Sequence, residues 1–125
     1  MTSKIIIIAD KKKASIDAIY QYLIDHGYDI KVVYDGLDGF NLVREEKPDL
    51  VLIESALSGF NGYQICSLLK YDIKYEDIIT IILSDISSDR EKILAESSGS
   101  DGILTTPVDL NELLGIVKTI DFKNE

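Results

Sequence analysis

The stretch PDLVLIESALSGFNGYQICSLLK, from Pro48 to Lys70, contains the signals for one strand followed by one helix. Its continuous apolar run, Leu50–Ile53, is typical of a parallel strand that is buried on both faces. Pro48 disfavours helical geometry at the residue before it, so a preceding helix should end at that point. After a polar turn, apolar residues recur at helical spacing, at Ile65, Leu68 and Leu69. The stretch therefore predicts a buried strand that leads directly into a helix.

Four other runs of strand length lie on either side of this unit, at Lys4–Ala9, Ile30–Tyr34, Ile78–Leu83 and Gly102–Thr105. The runs at Lys4–Ala9 and Ile78–Leu83 are continuous and rich in isoleucine, which is typical of central strands. Ile30–Tyr34 alternates more between apolar and polar residues, which favours an edge strand. Gly102–Thr105 is short and is followed by Pro107, which cannot donate to a sheet.

Helical patterns separate these runs. Their apolar positions are Ile16, Ile19, Tyr20 and Leu23; Leu37, Phe40 and Val43; Ile93 and Leu94; and Leu110, Leu113, Leu114 and Val117. Ser88-Asp89 and Asp109 are typical helix caps, and Gly27 and Gly99 are typical stops. Strand and helix thus alternate five times, which predicts a single α/β domain with a doubly wound parallel sheet. We expect one domain over residues 1–125, with its core at about residues 4–120.

Composition excludes several functions. The net charge of −9 argues against binding of nucleic acid by this chain, because such contact needs a basic surface. No apolar run approaches the roughly 18 residues of a membrane span, and we expect a cytoplasmic protein without membrane contact. The sequence lacks the GxGxxG and GxxxxGK[ST] phosphate-binding motifs. The lone Cys66 is expected to pack in the core, and the lone His26 to lie at a helix end or on the surface.

The candidate site lies where the strands end. In open α/β sheets, ligands bind outside the carboxyl ends of the strands. The residues expected there are Asp10-Lys11, Glu54-Ser55-Ala56, Ser84-Asp85 and Thr105-Thr106-Pro107. We therefore predict a polar pocket centred on Glu54.

These strand-end residues, in their order and spacing, resemble the response-regulator receiver family, the CheY-like phosphoacceptor domains. Pro48–Lys70 is similar to the family pattern PDLVLLDxxMPxxdGxxxcxxlr. Leu104–Leu114, LTTPVDLNELL, is similar to the pattern LxKPfdxxeLl. The resemblance covers Lys4 to about Ile120. It implies a flavodoxin/CheY-like sheet in the order 2-1-3-4-5, a strand order for which CheY is a standard example, and a role in two-component signal transduction or phosphorelay.

The resemblance also implies an altered acidic site. In the family, an aspartate that ends the third strand accepts a phosphoryl group while Mg²⁺ neutralises charge, and here that position is Glu54. Two acidic residues after the first strand usually hold the metal, and they correspond to Ala9 and Asp10. In the family an acidic residue often follows these two, but here that position is occupied by Lys11. One carboxylate is therefore missing, and only weak Mg²⁺ binding, through Asp10, Glu54 and the Ala56 carbonyl, is expected at most.

Other departures lie on the last two strands. The family lysine that pairs with the phosphoryl oxygens corresponds to Thr106, before Pro107. The family hydroxyl after the fourth strand is retained as Ser84, whereas the switch aromatic of the fifth strand corresponds to Ile103. The extra methylene of glutamate moves the reacting oxygen by more than an ångström, and phosphoryl transfer depends on tight positioning. We expect no phosphotransfer, no catalytic residue and no enzymatic activity.

Two hypotheses account for the charge of Glu54 next to Asp10, since like carboxylates repel unless a cation intervenes. In the first, Lys11, or with less support Lys12 or Lys13, supplies the cation in place of metal. In the second, these lysines point to solvent and Glu54 bonds Ser84 or backbone N–H groups.

Three functions follow from these expectations. The favoured one is a phosphorylation-independent interaction module that contacts a protein partner or a second copy through the fourth helix, fifth strand and fifth helix. That face carries Asp89, Arg90, Lys92, Glu96, Ile103, Asn111 and Lys118. The alternatives are a residual receiver that takes phosphate weakly, and a small-ligand binder using Lys11, Ser84, Thr105 and Thr106. A fixed conformation is favoured over a Glu54 that mimics the phosphorylated state, because Ile103 lacks the aromatic ring that normally reports the charge.

Overall fold

The computed structural model describes residues 3–85 and 88–123, in which five strands alternate with five helices. The strands are β1 (Lys4–Ile8), β2 (Asp29–Val33), β3 (Leu50–Glu54), β4 (Ile79–Ser84) and β5 (Gly102–Thr105). The helices are α1 (Ala14–Asp25), α2 (Gly36–Glu46), α3 (Gly62–Lys70), α4 (Asp89–Ser97) and α5 (Leu110–Lys123). All strand pairs are parallel, and the order is β2-β1-β3-β4-β5. The predicted fold class and strand order are confirmed.

The sheet separates two apolar cores. Successive residues of β1 alternate between them, because side chains along a strand point to opposite faces. Ile5 and Ile7 pack in the core that contains the buried residues of α1 and α5, whereas Ile6 and Ile8 pack in the core beneath α2, α3 and α4. The continuous apolar runs are thus the central strands, and β2 and β5 are the edges, as the sequence predicts. The predicted bounds 1–125 include residues that lie outside the described ranges.

Five residues predicted to lie on buried helix faces are exposed instead. They are Tyr20, Leu37, Leu68, Ile93 and Leu94. The correction is largest in α4, which packs on the sheet through the small buried Ala95. A helix that approaches the sheet through alanine leaves its larger side chains outside the core. The helices themselves occur where the sequence predicts them.

Polar contacts fix where α3 begins and ends. At its start, the Asn61 side chain accepts a hydrogen bond from Gln64 N at 2.9 Å, and the Gln64 side chain accepts one from Asn61 N at 3.1 Å. This capping box satisfies N–H groups that lack helical partners. At its end, the Lys70 ammonium donates to the carbonyls of Glu76 and Ile78 and to Asp101 Oδ2, at 2.7, 3.0 and 2.8 Å. The end of α3 is therefore tied to the residues that lead into β4 and β5.

Gly62 allows α3 to begin directly against the carboxyl end of β3. A Cβ atom at this position would lie 2.2 Å from the carbonyl oxygen of Glu54, which is backbone and cannot rotate away. Gly62 N also donates to Ser55 O at 2.9 Å, so the two segments cannot simply separate. Close backbone approach, rather than an unusual dihedral angle, requires glycine here.

We expect Gly62→Ala to lower the free energy of unfolding by about 2 kcal/mol, because the added methyl overpacks a rigid backbone contact. Gly115→Ala is the matched control, since Gly115 lies inside α5 with no atom within 4 Å of its added Cβ. The control should be more stable than the wild type by about 1 kcal/mol, from helix propensity alone. Urea denaturation measures both, and equal stability of the two variants would contradict the close approach at Gly62.

Candidate functional site

Glu54 is the last residue of β3 and is buried, with 6% of its surface exposed. Its two carboxylate oxygens have different partners. Oε1 accepts a hydrogen bond from the backbone N–H of Asp10 at 2.9 Å, and Oε2 lies 2.5 Å from the ammonium nitrogen of Lys13. A buried carboxylate is costly unless it is paired and hydrogen-bonded, and Glu54 has both kinds of partner.

Lys13, rather than Lys11, supplies the cation. Lys11 and Lys12 are exposed to solvent. The first hypothesis is therefore wrong in favouring Lys11, and Lys13, which it named with less support, pairs with Glu54. Lys13 is the N-cap residue of α1 but makes no capping hydrogen bond through its side chain. Its position where the chain enters the helix places the ammonium beside Glu54. The second hypothesis is also partly correct, because Glu54 accepts a backbone N–H bond as well.

The ion pair raises the pKa of Lys13 above its ordinary value of 10.5. The hydrogen bond to Glu54 is the largest cause, and burial opposes it by disfavouring the charged form. The negative charges of Glu54, Asp85 and Asp10 add to the rise. Lys13 therefore lies among carboxylates at the carboxyl end of the sheet.

The Asp10 carboxylate is engaged elsewhere. Its Oδ1 accepts hydrogen bonds from the backbone N–H and the hydroxyl of Ser58, both at 3.0 Å. Ser58 lies in the loop between β3 and α3, so Asp10 ties that loop to the end of β1. Asp10 thus contacts both neighbouring segments, because its backbone N–H also donates to Glu54 Oε1.

The residues present do not fit Mg²⁺ well. This ion requires nearly octahedral oxygen ligands at short distance, whereas Ala9 offers no carboxylate and Lys13 holds Glu54 Oε2. Within residues 3–85 and 88–123, no group of three or more His, Cys, Asp or Glu side chains is arranged to hold a metal ion. Ala56, whose carbonyl was a candidate ligand, is exposed in the loop after β3.

The β4 and β5 side of the site contributes a hydrogen bond between a hydroxyl and a carboxylate, where the family has a cation. The Thr106 hydroxyl donates a hydrogen bond to Asp85 Oδ1, and Thr106 N donates to Ser84 O at 2.9 Å. Ser84 is buried at the end of β4, and Pro107 follows Thr106 through a cis peptide bond. Ile103, at the switch position, is half-buried against the core beneath α2, α3 and α4.

Two residues with roles at this end of the sheet were missed by sequence reasoning. Ser58 binds Asp10, and the Tyr63 hydroxyl donates a hydrogen bond to Glu91 Oε2 on α4. Burial is the main cause of a raised Tyr63 pKa, and the Glu91 contact adds to it. Neither contact has a sequence signal, because each joins residues far apart in the chain.

A parallel sheet in this order, with carboxylates and hydroxyls at the carboxyl ends of β1, β3 and β4, defines a receiver-type α/β domain. The family model described as response regulator receiver domain matches residues 6–118. The chain therefore belongs to the response regulator receiver domain family, whose members are modules of two-component signalling. Among the described residues, no helix is both long and apolar enough to cross a membrane.

Solved structures of receivers are closely similar. The receiver domain of Francisella response regulator 1452 is 26% identical, with a TM-score of 0.85 over 99% of this chain and 100% of that one. The signal receiver domain of a DNA binding response regulator from Colwellia psychrerythraea 34H is 25% identical, with a TM-score of 0.86 over 94% and 97%. A CheY-like receiver domain protein from Methanospirillum hungatei JF-1 is 20% identical, has a TM-score of 0.86 over 99% and 98%, and shows the same fold.

We expect Lys13→Met to lower the free energy of unfolding at pH 7 by about 1–2 kcal/mol. It leaves the buried Glu54 carboxylate without its cation, and partial exposure of Lys13 keeps the loss below the roughly 3–5 kcal/mol typical of a fully buried pair. Lys11→Met and Lys12→Met are the controls and should leave stability nearly unchanged. Adding Glu54→Gln to Lys13→Met should recover part of the loss, because it removes the unpaired charge.

The same set of variants gives the pH dependence. A raised pKa for Lys13 means that the pair stabilises the fold below pH 10.5 and that this contribution is lost as the pH rises further. The stability difference between wild type and Lys13→Met should therefore be constant around neutrality and shrink at alkaline pH. Urea denaturation of both proteins across pH measures it, and equal losses for Lys11→Met and Lys13→Met would contradict the pairing.

Proposed function

We propose that this receiver domain is atypical and acts as a phosphorylation-independent protein-interaction module. The observation that carries the proposal is the ion pair between Lys13 and Glu54, at 2.5 Å. A phosphoacceptor carboxylate must reach a phosphoryl donor in line and needs a metal ion to neutralise the transferred charge. Here the Glu54 carboxylate is buried. The oxygen that does not bind the Asp10 N–H is paired with Lys13 of the same chain.

The surrounding departures support the same conclusion. Transferred phosphoryl oxygens need positive partners, and the residue before Pro107 is Thr106, whose hydroxyl is bonded to Asp85. Ala9 supplies no carboxylate ligand for Mg²⁺ at a position where the family usually has one. The Asp10 carboxylate, which could supply another ligand, accepts a hydrogen bond from Ser58. We therefore propose that the domain works without a resident metal ion.

The ion pair also favours a fixed conformation over a permanent mimic of the phosphorylated state. A phosphoryl group carries roughly two negative charges, whereas the single charge of Glu54 is compensated by Lys13 within the same site. An internally compensated carboxylate offers no excess charge to drive a switch. Ile103 also lacks the aromatic ring expected of a receiver switch.

The proposed contact face consists of α4, β5 and α5. An apolar groove of about 360 Å³ lies between β5 and α5, with Ile103, Ile116 and Ile120 in its lining. Ile116 is half-buried, whereas Ile120 is buried, so α5 contributes both to the core and to this groove. Asn111 and Lys118, also on α5, are exposed but do not line this groove, and Asn111 accepts a hydrogen bond from Tyr22 on α1.

Small-ligand binding is the weaker alternative. The cavity beside Asp10 measures about 130 Å³, below the range of roughly 300–1,000 Å³ that ligand pockets occupy. Residual phosphate acceptance is the stronger alternative, because Asp10, Glu54 and Ser84 remain at the strand ends. Chemical phosphorylation separates this alternative from the proposal.

We expect no covalent phosphoryl adduct when the wild-type chain is incubated with acetyl phosphate and Mg²⁺, with a typical receiver domain as the positive control. Glu54→Asp alone should also remain unmodified, because Lys13, Ala9 and Thr106 are unchanged. Intact-mass spectrometry detects the adduct, and NMR with beryllofluoride and Mg²⁺ detects binding without chemistry. Prompt Mg²⁺-dependent modification of Glu54→Asp would show that the site is altered at one residue only and would contradict the proposal.

A further inference from the structure

A groove of about 740 Å³ runs between α3 and α4; it shares α4 and Arg90 with the face proposed above but lies on the α3 side of that helix. Its apolar lining includes Phe60, Leu68 and Leu94, and we call it the α3–α4 groove. Leu68 is 47% exposed and Leu94 is 38% exposed, although both sit on helices whose opposite sides are buried. Exposed apolar side chains gathered in a concave surface are typical of an interaction site.

Hydrogen bonds across the groove hold its two helices at a fixed separation. Tyr63, near the start of α3, donates to Glu91 on α4, and Ser67 Oγ donates to Ser98 O at 3.2 Å. Tyr71, just after α3, donates to Ser97 O at 3.1 Å and closes one end. Because the groove is already formed, a ligand would pay little ordering cost on binding.

The charge of the groove is opposite to that of the chain. The protein has 22 acidic and 13 basic residues, yet Arg90 is the one charged side chain in the groove lining as described. Arg90 is exposed and has no ion-pair partner among residues 3–85 and 88–123. Glu91, its neighbour, is engaged by Tyr63.

Neutral groups near Arg90 are donors as well. The side-chain oxygens of Asn61 and Gln64 both accept hydrogen bonds within the capping box. Their NH₂ groups therefore remain as donors in the groove lining. An apolar groove with a guanidinium and amide donors matches a ligand that is apolar along one side and carries carboxylates.

We propose that the α3–α4 groove binds an amphipathic helix of a partner protein, with apolar residues over Leu68 and Leu94 and carboxylates against Arg90. Helix in groove is an established recognition mode, with anchors at i, i+3 or i+4, and i+7. Helix α3 has nine residues, so the groove is roughly 14 Å long and accommodates two to three helical turns. A second copy fits less well, since two concave grooves of like charge do not fill each other.

This surface is separate from the Glu54 site and its occupation does not depend on whether Glu54 accepts phosphate. A failed helix-binding test would therefore leave the proposed function intact, and phosphorylation of the chain would leave the groove intact. The two proposals are tested by independent readouts.

The test is an amide NMR titration of the full chain with two synthetic helical peptides. Both carry leucines at i, i+4 and i+7, and they differ only at one end, where one has glutamates and the other has lysines. We expect the glutamate peptide to bind roughly tenfold more tightly, because it pairs with Arg90. The shifted amides should lie on α3 and α4.

Charge reversal supplies the matched variants. Arg90→Glu should invert the preference, so that the lysine peptide binds more tightly, whereas Lys92→Glu on the same helix but outside the groove lining should not. Leu94→Ala should weaken both peptides, and Leu37→Ala, at an exposed leucine of α2, should weaken neither. All four positions are exposed, and circular dichroism checks that the variants are folded.

Three results would overturn the proposal. The first is equal binding of the two peptides by both the wild type and Arg90→Glu. The second is the absence of shifts on α3 and α4 at millimolar peptide. The third is self-association in sedimentation that Leu94→Ala abolishes, because that would make the occupant a second copy of this chain.

Discussion

The burial of a carboxylate at the end of β3 is the constraint on which the rest of this site depends. Glu54 is 6% exposed, and a charge in that environment must be compensated close by. Lys13 compensates it from the start of α1, and the backbone N–H of Asp10 binds the other oxygen. The chain thus compensates the negative charge of Glu54 with groups of its own. Two segments, the β1–α1 loop and the end of β3, are held together by that compensation.

The compensation extends to neighbouring residues. Beside the ion pair, Asp10 Oδ1 accepts two hydrogen bonds from Ser58 in the β3–α3 loop. On the other side, the Thr106 hydroxyl donates to the Asp85 carboxylate, so a hydrogen bond joins the loops after β4 and β5 at the position of the family lysine. Glu54, Asp10 and Thr106 thus each have a partner within the described part of the chain. These contacts are the physical basis of our proposal that the domain works as a scaffold rather than as a switch.

The fold could be predicted because its signals are local and redundant. Continuous isoleucine- and valine-rich runs mark β1, β3 and β4, and caps such as Ser88 and Asp109 mark helix starts. The exposure of Leu68 and Leu94 could not be predicted, because it depends on how closely α3 and α4 approach the sheet and each other. The altered acidic residues were visible in the sequence, but the lysine that pairs with Glu54 was not. Three consecutive lysines look equivalent in one dimension, and only the entry angle of α1 distinguishes Lys13 from Lys11.

The most direct measurement of the ion pair is the pKa of the Lys13 ammonium group, followed by NMR of the chain with nitrogen-labelled lysine. We expect Lys13 to titrate above its ordinary value of 10.5, to return toward it in Glu54→Gln, and to be unaffected by Mg²⁺. A Lys13 signal that titrates at its ordinary value and moves when Mg²⁺ is added would contradict the proposal that lysine replaces metal at this site.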